Sequence, residues 1–307
     1  TPIAATIDKV SWLDAGVRTT CAVRFDGGVR CWGDNFFGQL GGGSKGNGAA
    51  PGVPVVAKSL VDAVAVAVGG KHVCVRGATG AVHCWGNNFY GQAGVADSAP
   101  VLVPTQVSSL SHVLAVDAGG EHSCAIATDG QVRCWGYNGH GQIGSGQADK
   151  PAAVKVPTVV KGLPASAKLL ALGDSHSCAL LTDKKVWCWG KGSSGQLGHG
   201  NKPSVQVAPV AVKGLKDSGF IAAGGSTTCA LTLAGFVYCW GAGASGQLGT
   251  ESPSTSSAEP EMIKGLSGAL GVTVGNAHAC AIRSDLSGWC WGQGGAGQLG
   301  DGLGKAS

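Results

Sequence analysis

Charge is scarce in this chain: Asp, Glu, Lys and Arg make up 13% of 307 residues, against about 25% in an ordinary globular domain. Methionine occurs once. No apolar run approaches the roughly 18 residues of a membrane span, and no charged-then-apolar leader is present. The chain, which starts at Thr1, is therefore expected to be soluble, without a membrane span, and either a mature product or a trimmed one. The net charge is only +4, and apart from Lys184-Lys185 the basic residues are scattered singly. With no patch or tail to neutralise phosphates, nucleic acid is not an expected partner.

Chemical motifs are missing as well. Zinc sites pair cysteines at spacings of roughly two to four residues, and no such pair occurs. His83, His112, His140 and His199 are not grouped with a Ser, Cys or carboxylate in any nucleophile motif. The run 41–48 (GGGSKGNG) has the glycine content of a phosphate loop but neither its Gly-Lys-Ser/Thr nor a following helix, and reads as a flexible connection. No metal, cofactor or catalytic residue is expected, and the chain does not read as an enzyme.

What the chain does contain is periodic. Trp-Gly pairs begin at Trp32, Trp85, Trp135, Trp189, Trp240 and Trp291, at spacings of 53, 50, 54, 51 and 51 residues. Each follows a Cys, and each is followed after four residues by Gly-Gln-x-Gly. Ten residues before each of these cysteines stands another, and five before that a glycine. A repeat of this length is the signature of a propeller or solenoid. Within a unit the elements read as strands: an apolar one such as 64–68, one with the first Cys, one with Cys-Trp-Gly, and one led by a proline, as at Pro157 or Pro209. The expectation is a single all-β domain over 1–307, a six-bladed β-propeller of four-stranded blades. Pro2-Ile-Ala resembles the proline-led strand, so the N-terminal strand is expected to complete the last blade. An open array or part of a seven-bladed ring is the alternative.

The cysteine spacing fixes a register. Between Cys124 and Cys134 the midpoint is Asp129, so Thr128-Asp129-Gly130 forms a three-residue hairpin loop with Gly130 left-handed. Counting outward, 124/134 falls on a non-hydrogen-bonded pair, where opposed Cα atoms are only about 4.5 Å apart and both side chains share a face. The same centring predicts disulfides Cys21–Cys31, Cys74–Cys84, Cys124–Cys134, Cys178–Cys188, Cys229–Cys239 and Cys280–Cys290, with Lys184 and Leu286 replacing the turn glycine in two copies. Six bridges point to an oxidising compartment, extracellular or periplasmic.

With these features in place, the chain resembles the regulator of chromosome condensation repeat family, through segments such as 119–126 (GGEHSCAI) and 135–144 (WGYNGHGQIG). The resemblance implies propellers, usually of seven blades, that act as binding platforms; members include a nucleotide exchange factor on chromatin and a secreted bacterial inhibitor of β-lactamases. Six units and the paired cysteines depart from the nuclear protein and are similar to secreted bacterial versions. Repeat lengths so even leave no room for an inserted exchange-factor wedge.

His72, His122, His176 and His278 each lie two residues before a strand Cys, with Thr19 and Thr227 in their place elsewhere, and such periodicity points to hydrogen bonding between strands or blades. Function belongs where the repeats differ. After Trp-Gly the units read DNFF (34–37), NNFY (87–90), YNGH (137–140), KGSS (191–194), AGAS (242–245) and QGGA (293–296). Phe36, Phe37, Phe89, Tyr90, Tyr137 and His140 are thus the candidate binding residues, an arc for a protein or peptide partner or, with the Asn residues beside them, a carbohydrate. The competing role is packing between blades. A monomeric, secreted or cell-surface, non-enzymatic protein-binding propeller is the leading reading.

Overall fold

Short strands and tight turns give each repeat an antiparallel meander, and six such sheets make an all-β six-bladed propeller without helices among the described residues. The computed structural model describes residues 7–46, 52–147, 152–250 and 254–302. The third blade is representative: Val113–Ala118, His122–Ala127, Val132–Tyr137 and Ala153–Val159 pair in sequence order. In the last blade three strands are described, Ala269–Val274, His278–Arg283 and Gly288–Gly292. Pro2-Ile-Ala, expected to supply its fourth, lies outside the described residues.

The hairpin register is the one read from the cysteine spacing. Cys124 faces Cys134, the Ala127 N–H donates to the Gln131 carbonyl at 3.1 Å, and Gly130 has φ 74°. All six expected cysteine pairs stand at disulfide distance, with Cα atoms 4.0–4.2 Å apart. Lys184 and Leu286, lacking the freedom of glycine, still take the left-handed turn, at φ 66° and 65°.

The proline is not where the sequence suggested. Pro104, Pro157, Pro209 and Pro260 lie inside their strands rather than at the start, each immediately before the residue that pairs with the blade's second cysteine. At that point the register shifts, so the ladder asks for no N–H, and the strand is the outermost of its sheet. An edge strand with an irregularity is where a ring lacking a donor is tolerated. Of the glycine run 41–48, residues 47–48 lie outside the described residues; within the rest, Gly43 and Gly46 donate to the carbonyls of Leu102 and Asn35 at 3.0 and 2.8 Å.

Contacts divide the described residues into two compact units, 7–139 with 152–160, carrying the first three blades, and 140–147 with 161–302. In the first unit the core lies between consecutive blades: Val23, Val29 and Leu40 of one blade pack with Val73, Val75 and Trp85 of the next. The second strand of blade three is buried at every position, which is why it is written in small and apolar residues, HSCAIA. Trp85 and Trp135 donate their indole N–H to the carbonyls of Gln39 and Gln92, in the preceding blade, at 2.8 and 2.9 Å. The second unit repeats the device: Trp189, Trp240 and Trp291 donate to the carbonyls of Gln142, Gln196 and Gln247 at 2.8–3.0 Å.

Candidate functional site

The glycine of Trp-Gly is required by backbone geometry, since in all six copies its φ lies between 100° and 107°, a region that L side chains avoid. The chain thereby turns so that the next N–H reaches the loop between the blade's first two strands. Asp34 donates to the Arg18 carbonyl at 2.8 Å, Asn87 to Lys71 at 2.9 Å and Tyr137 to Glu121 at 2.8 Å. Two loops of each blade therefore run side by side at one end of the sheet.

The residues after Trp-Gly are held by polar side chains of the repeated motif itself. Gln39 and Gln92 accept from the N–H of Phe37 and Tyr90 at 2.8 and 3.0 Å. Asn35 and Asn88 accept from Leu40 and Ala93 at 3.1 and 2.9 Å, and both asparagines are buried. With backbone and amides committed to the turn, the third and fourth residues are left to project. Phe36 and Phe89 are 63% and 64% exposed, whereas Phe37 and Tyr90 are half-buried.

The rings of the first unit meet in two groups. Phe36 and Phe37 stand edge to face at 4.9 Å, as do Phe89 and Tyr90, and Tyr90 meets Tyr137 of the third blade at 4.7 Å. Such pairs contribute about 0.5–1.5 kcal/mol each beyond the area they bury. Tyr90 and Tyr137 pack between blades, while Phe36 and Phe89 project into solvent. His140 belongs to the other unit, half-buried, and burial followed by the Lys191 charge pushes its imidazole below the usual histidine range.

Lys71 is the site residue that sequence reasoning passed over. Its ammonium stands 5.4 Å from the centre of the Phe37 ring, within the range of a cation–π contact. The available signal was the residue before each motif His or Thr, which reads Arg18, Lys71, Glu121, Ser175, Ser226 and Ala277. Only the first two blades present a cation there.

Two of the periodic histidines, His72 and His176, link blades. Ser123 Oγ donates to the Gln92 carbonyl at 3.0 Å, so the His72 Nε2–H donates to Ser123 Oγ, 2.8 Å away. His176 makes the same link to Thr228 at 2.8 Å, and Thr228 to the Gln196 carbonyl at 3.0 Å. Full burial lowers both imidazoles to about 4, which keeps them neutral. The glycine three residues earlier leaves room for the ring: a Cβ on Gly69 or Gly173 would collide with the imidazole of His72 or His176. These groups are structural polar links between blades.

A shallow cavity of about 240 Å³ between Arg24, Arg30, Val56 and Leu60 lies in the first blade, below the roughly 300–1,000 Å³ usual for small-molecule sites. Arg24 there is paired with Asp26 at 3.1 Å.

Comparison with known proteins places the chain. Residues 79–126, 129–180, 183–231 and 234–282 match the Regulator of chromosome condensation (RCC1) repeat, and a second description of the same repeat matches 13–39, 63–92, 113–142, 167–196 and 220–247. Human E3 ubiquitin-protein ligase HERC2 is 30% identical over 306 residues, which is 98% of this chain but 5% of that protein. Human probable E3 ubiquitin-protein ligase HERC6 is 35% identical over 138 residues, 43% of this chain and 13% of that one. The chain therefore spans a small part of the curated relatives it matches. Among solved structures, human WBSCR16 superposes with a TM-score of 0.87 at 24% identity, over 97% of this chain and 81% of that one. Yeast RCC1 (Prp20) bound to Kap60 superposes at 0.83 with 20% identity, over 96% and 72%.

Proposed function

The chain belongs to the regulator of chromosome condensation repeat family, and from that premise we propose that it is a non-enzymatic propeller that binds a protein or peptide through the exposed aromatic edge of its first three blades. The observation that carries this reading is the exposure of Phe36 and Phe89 on loops whose remaining groups are committed to holding them in place. Rings held on a pre-shaped loop lose little entropy on binding and bury large apolar area, which is how interface anchors work. A yeast protein of the same fold, Prp20, is solved with Kap60 bound, which is consistent with a propeller used as a protein-binding surface. Against a carbohydrate, Asn35 and Asn88 are buried and used by their own turns, so the amides that would read hydroxyl groups are not offered.

The compartment belongs to the same proposal. Six cysteine pairs at disulfide distance and no free cysteine among the described residues suit an oxidising environment, which supports a location outside the cell or in a periplasm.

Panning a displayed random-peptide library on the protein tests the function. Peptides should be enriched on the wild type and lost on a Phe36→Ala/Phe89→Ala variant. Enrichment that is the same on both proteins would remove the aromatic edge as the binding site.

A further inference from the structure

The aromatic edge is also a cationic edge. Arg18 and Lys71 occupy equivalent positions in the first and second blades, and both are exposed. Neither makes an ion pair with any described carboxylate, although Arg24, Arg133, Arg283, Lys184, Lys185 and Lys213 all do. Their backbone carbonyls accept from Asp34 and Asn87, which start the loops carrying Phe36 and Phe89. Each unpaired cation therefore adjoins an exposed phenyl ring's loop by a fixed backbone contact. Lys71 goes further and leans over Phe37 of the neighbouring blade, so the charge lies beside the rings.

One acidic side chain begins an aromatic loop. Asp34 accepts from the Phe36 N–H at 3.1 Å and from Gln39 Nε2 at 2.9 Å, which holds it at the turn and offsets one of the two charges, leaving the edge net positive by one. The third-blade residue equivalent to Arg18 and Lys71 is Glu121, which is half-buried. At the position before the motif His or Thr, cations thus occur only in the two blades with the exposed phenylalanines, although the whole chain carries only +4.

Resting on the peptide-binding reading above, we infer that the partner segment is an acidic one: a large apolar side chain seated on Phe36 and Phe89, flanked by carboxylates that pair with Arg18 and Lys71. Charge complementarity at the rim of such a contact sets partner choice, and rejection of a like-charged segment adds to it. Glu121 adds a direction, since an acidic segment is repelled beyond the second blade.

The test uses two fluorescein-labelled peptides, Gly-Ser-Glu-Glu-Phe-Glu-Glu-Ser-Gly and its all-glutamine counterpart, titrated by anisotropy at low and high salt. The acidic peptide should bind about three- to tenfold more tightly at low salt, the range two exposed ion pairs provide, and the difference should shrink in high salt. In an Arg18→Glu/Lys71→Glu variant, whose melting temperature serves as the folding control, the preference should reverse. Equal binding of the two peptides, or binding of neither, overturns the acidic-partner inference. The peptide-binding reading is judged separately: it survives if the library yields neutral or basic sequences that depend on Phe36 and Phe89, and falls if no sequence does.

Discussion

A buried imidazole and a strained turn residue make the strongest claims at the scale of single residues. His72 and His176 titrate near 4 in the folded protein and near 6.5 when unfolded, because burial removes the water that would stabilise the charged ring. Above pH 6.5 both states hold the neutral ring and folding is not opposed. As pH falls from 6.5 towards 4 the unfolded chain takes up protons that the native state refuses, so stability declines across that window and levels off below it. At pH 5 each histidine should cost about 2 kcal/mol relative to pH 7.5. Urea midpoints at the two pH values check this; identical midpoints would remove the burial argument. Leu286 is 76% exposed and sits at φ 65° where four of the blades have glycine. Replacing it with glycine relieves left-handed strain of about 1–2 kcal/mol and loses part of that to unfolded-chain entropy. Leu286→Gly should therefore raise stability by up to about 1 kcal/mol, measured as a shift in denaturation midpoint, and a fall would contradict the turn assignment.

At the scale of the element, the blade is a hairpin with a cysteine pair at disulfide distance across it, tied to its neighbour by a shared carbonyl. Gln92 O accepts from Trp135 Nε1 and Ser123 Oγ at 2.9 and 3.0 Å, and Gln142 O accepts from Trp189 and Ser177 at 2.8 and 2.9 Å. The repeat motif is thus a description of one interface: the tryptophan and the residue after the histidine reach back to the glutamine of the blade before. Intact-mass measurement without reductant should find the chain twelve hydrogens lighter than its fully reduced form, as twelve cysteines in six pairs require. Removing one bridge as Cys124→Ala/Cys134→Ala closes no ten-residue loop in the unfolded chain and should lower stability by about 2–3 kcal/mol, with the buried void adding to the loss. A cost near zero would mean that the pair is not bonded in solution. Much of this element was legible because spacing alone fixes register: the centring on Asp129 placed Cys124 opposite Cys134. The proline position was not, because a period-two pattern does not show where a ladder skips, and Pro157 lies at such a skip.

For the whole molecule, residues common to the repeats make blades, and the places where repeats differ are the candidates for function. That division located the loop after Trp-Gly from sequence, but it treated six side chains as one class. Only packing separates them: Tyr90 and Tyr137 are neighbours across a blade boundary, whereas Phe36 and Phe89 have solvent on one side. Lys71 lay beyond sequence reasoning because it is 34 positions from Phe37 and meets that ring only through the packing of adjacent blades. The account therefore rests on the proposal that two exposed phenylalanines contribute little to folding and much to binding. A Phe36→Ala/Phe89→Ala variant, compared with wild type by thermal melting and by calorimetric titration with a library-selected peptide, tests this most directly. The melting temperature should stay within a few degrees, as for exposed side chains outside the core, while affinity falls by about 30-fold or more, as for loss of a central anchor worth at least about 2 kcal/mol. Unchanged affinity, or a collapse of the melting temperature, would contradict it.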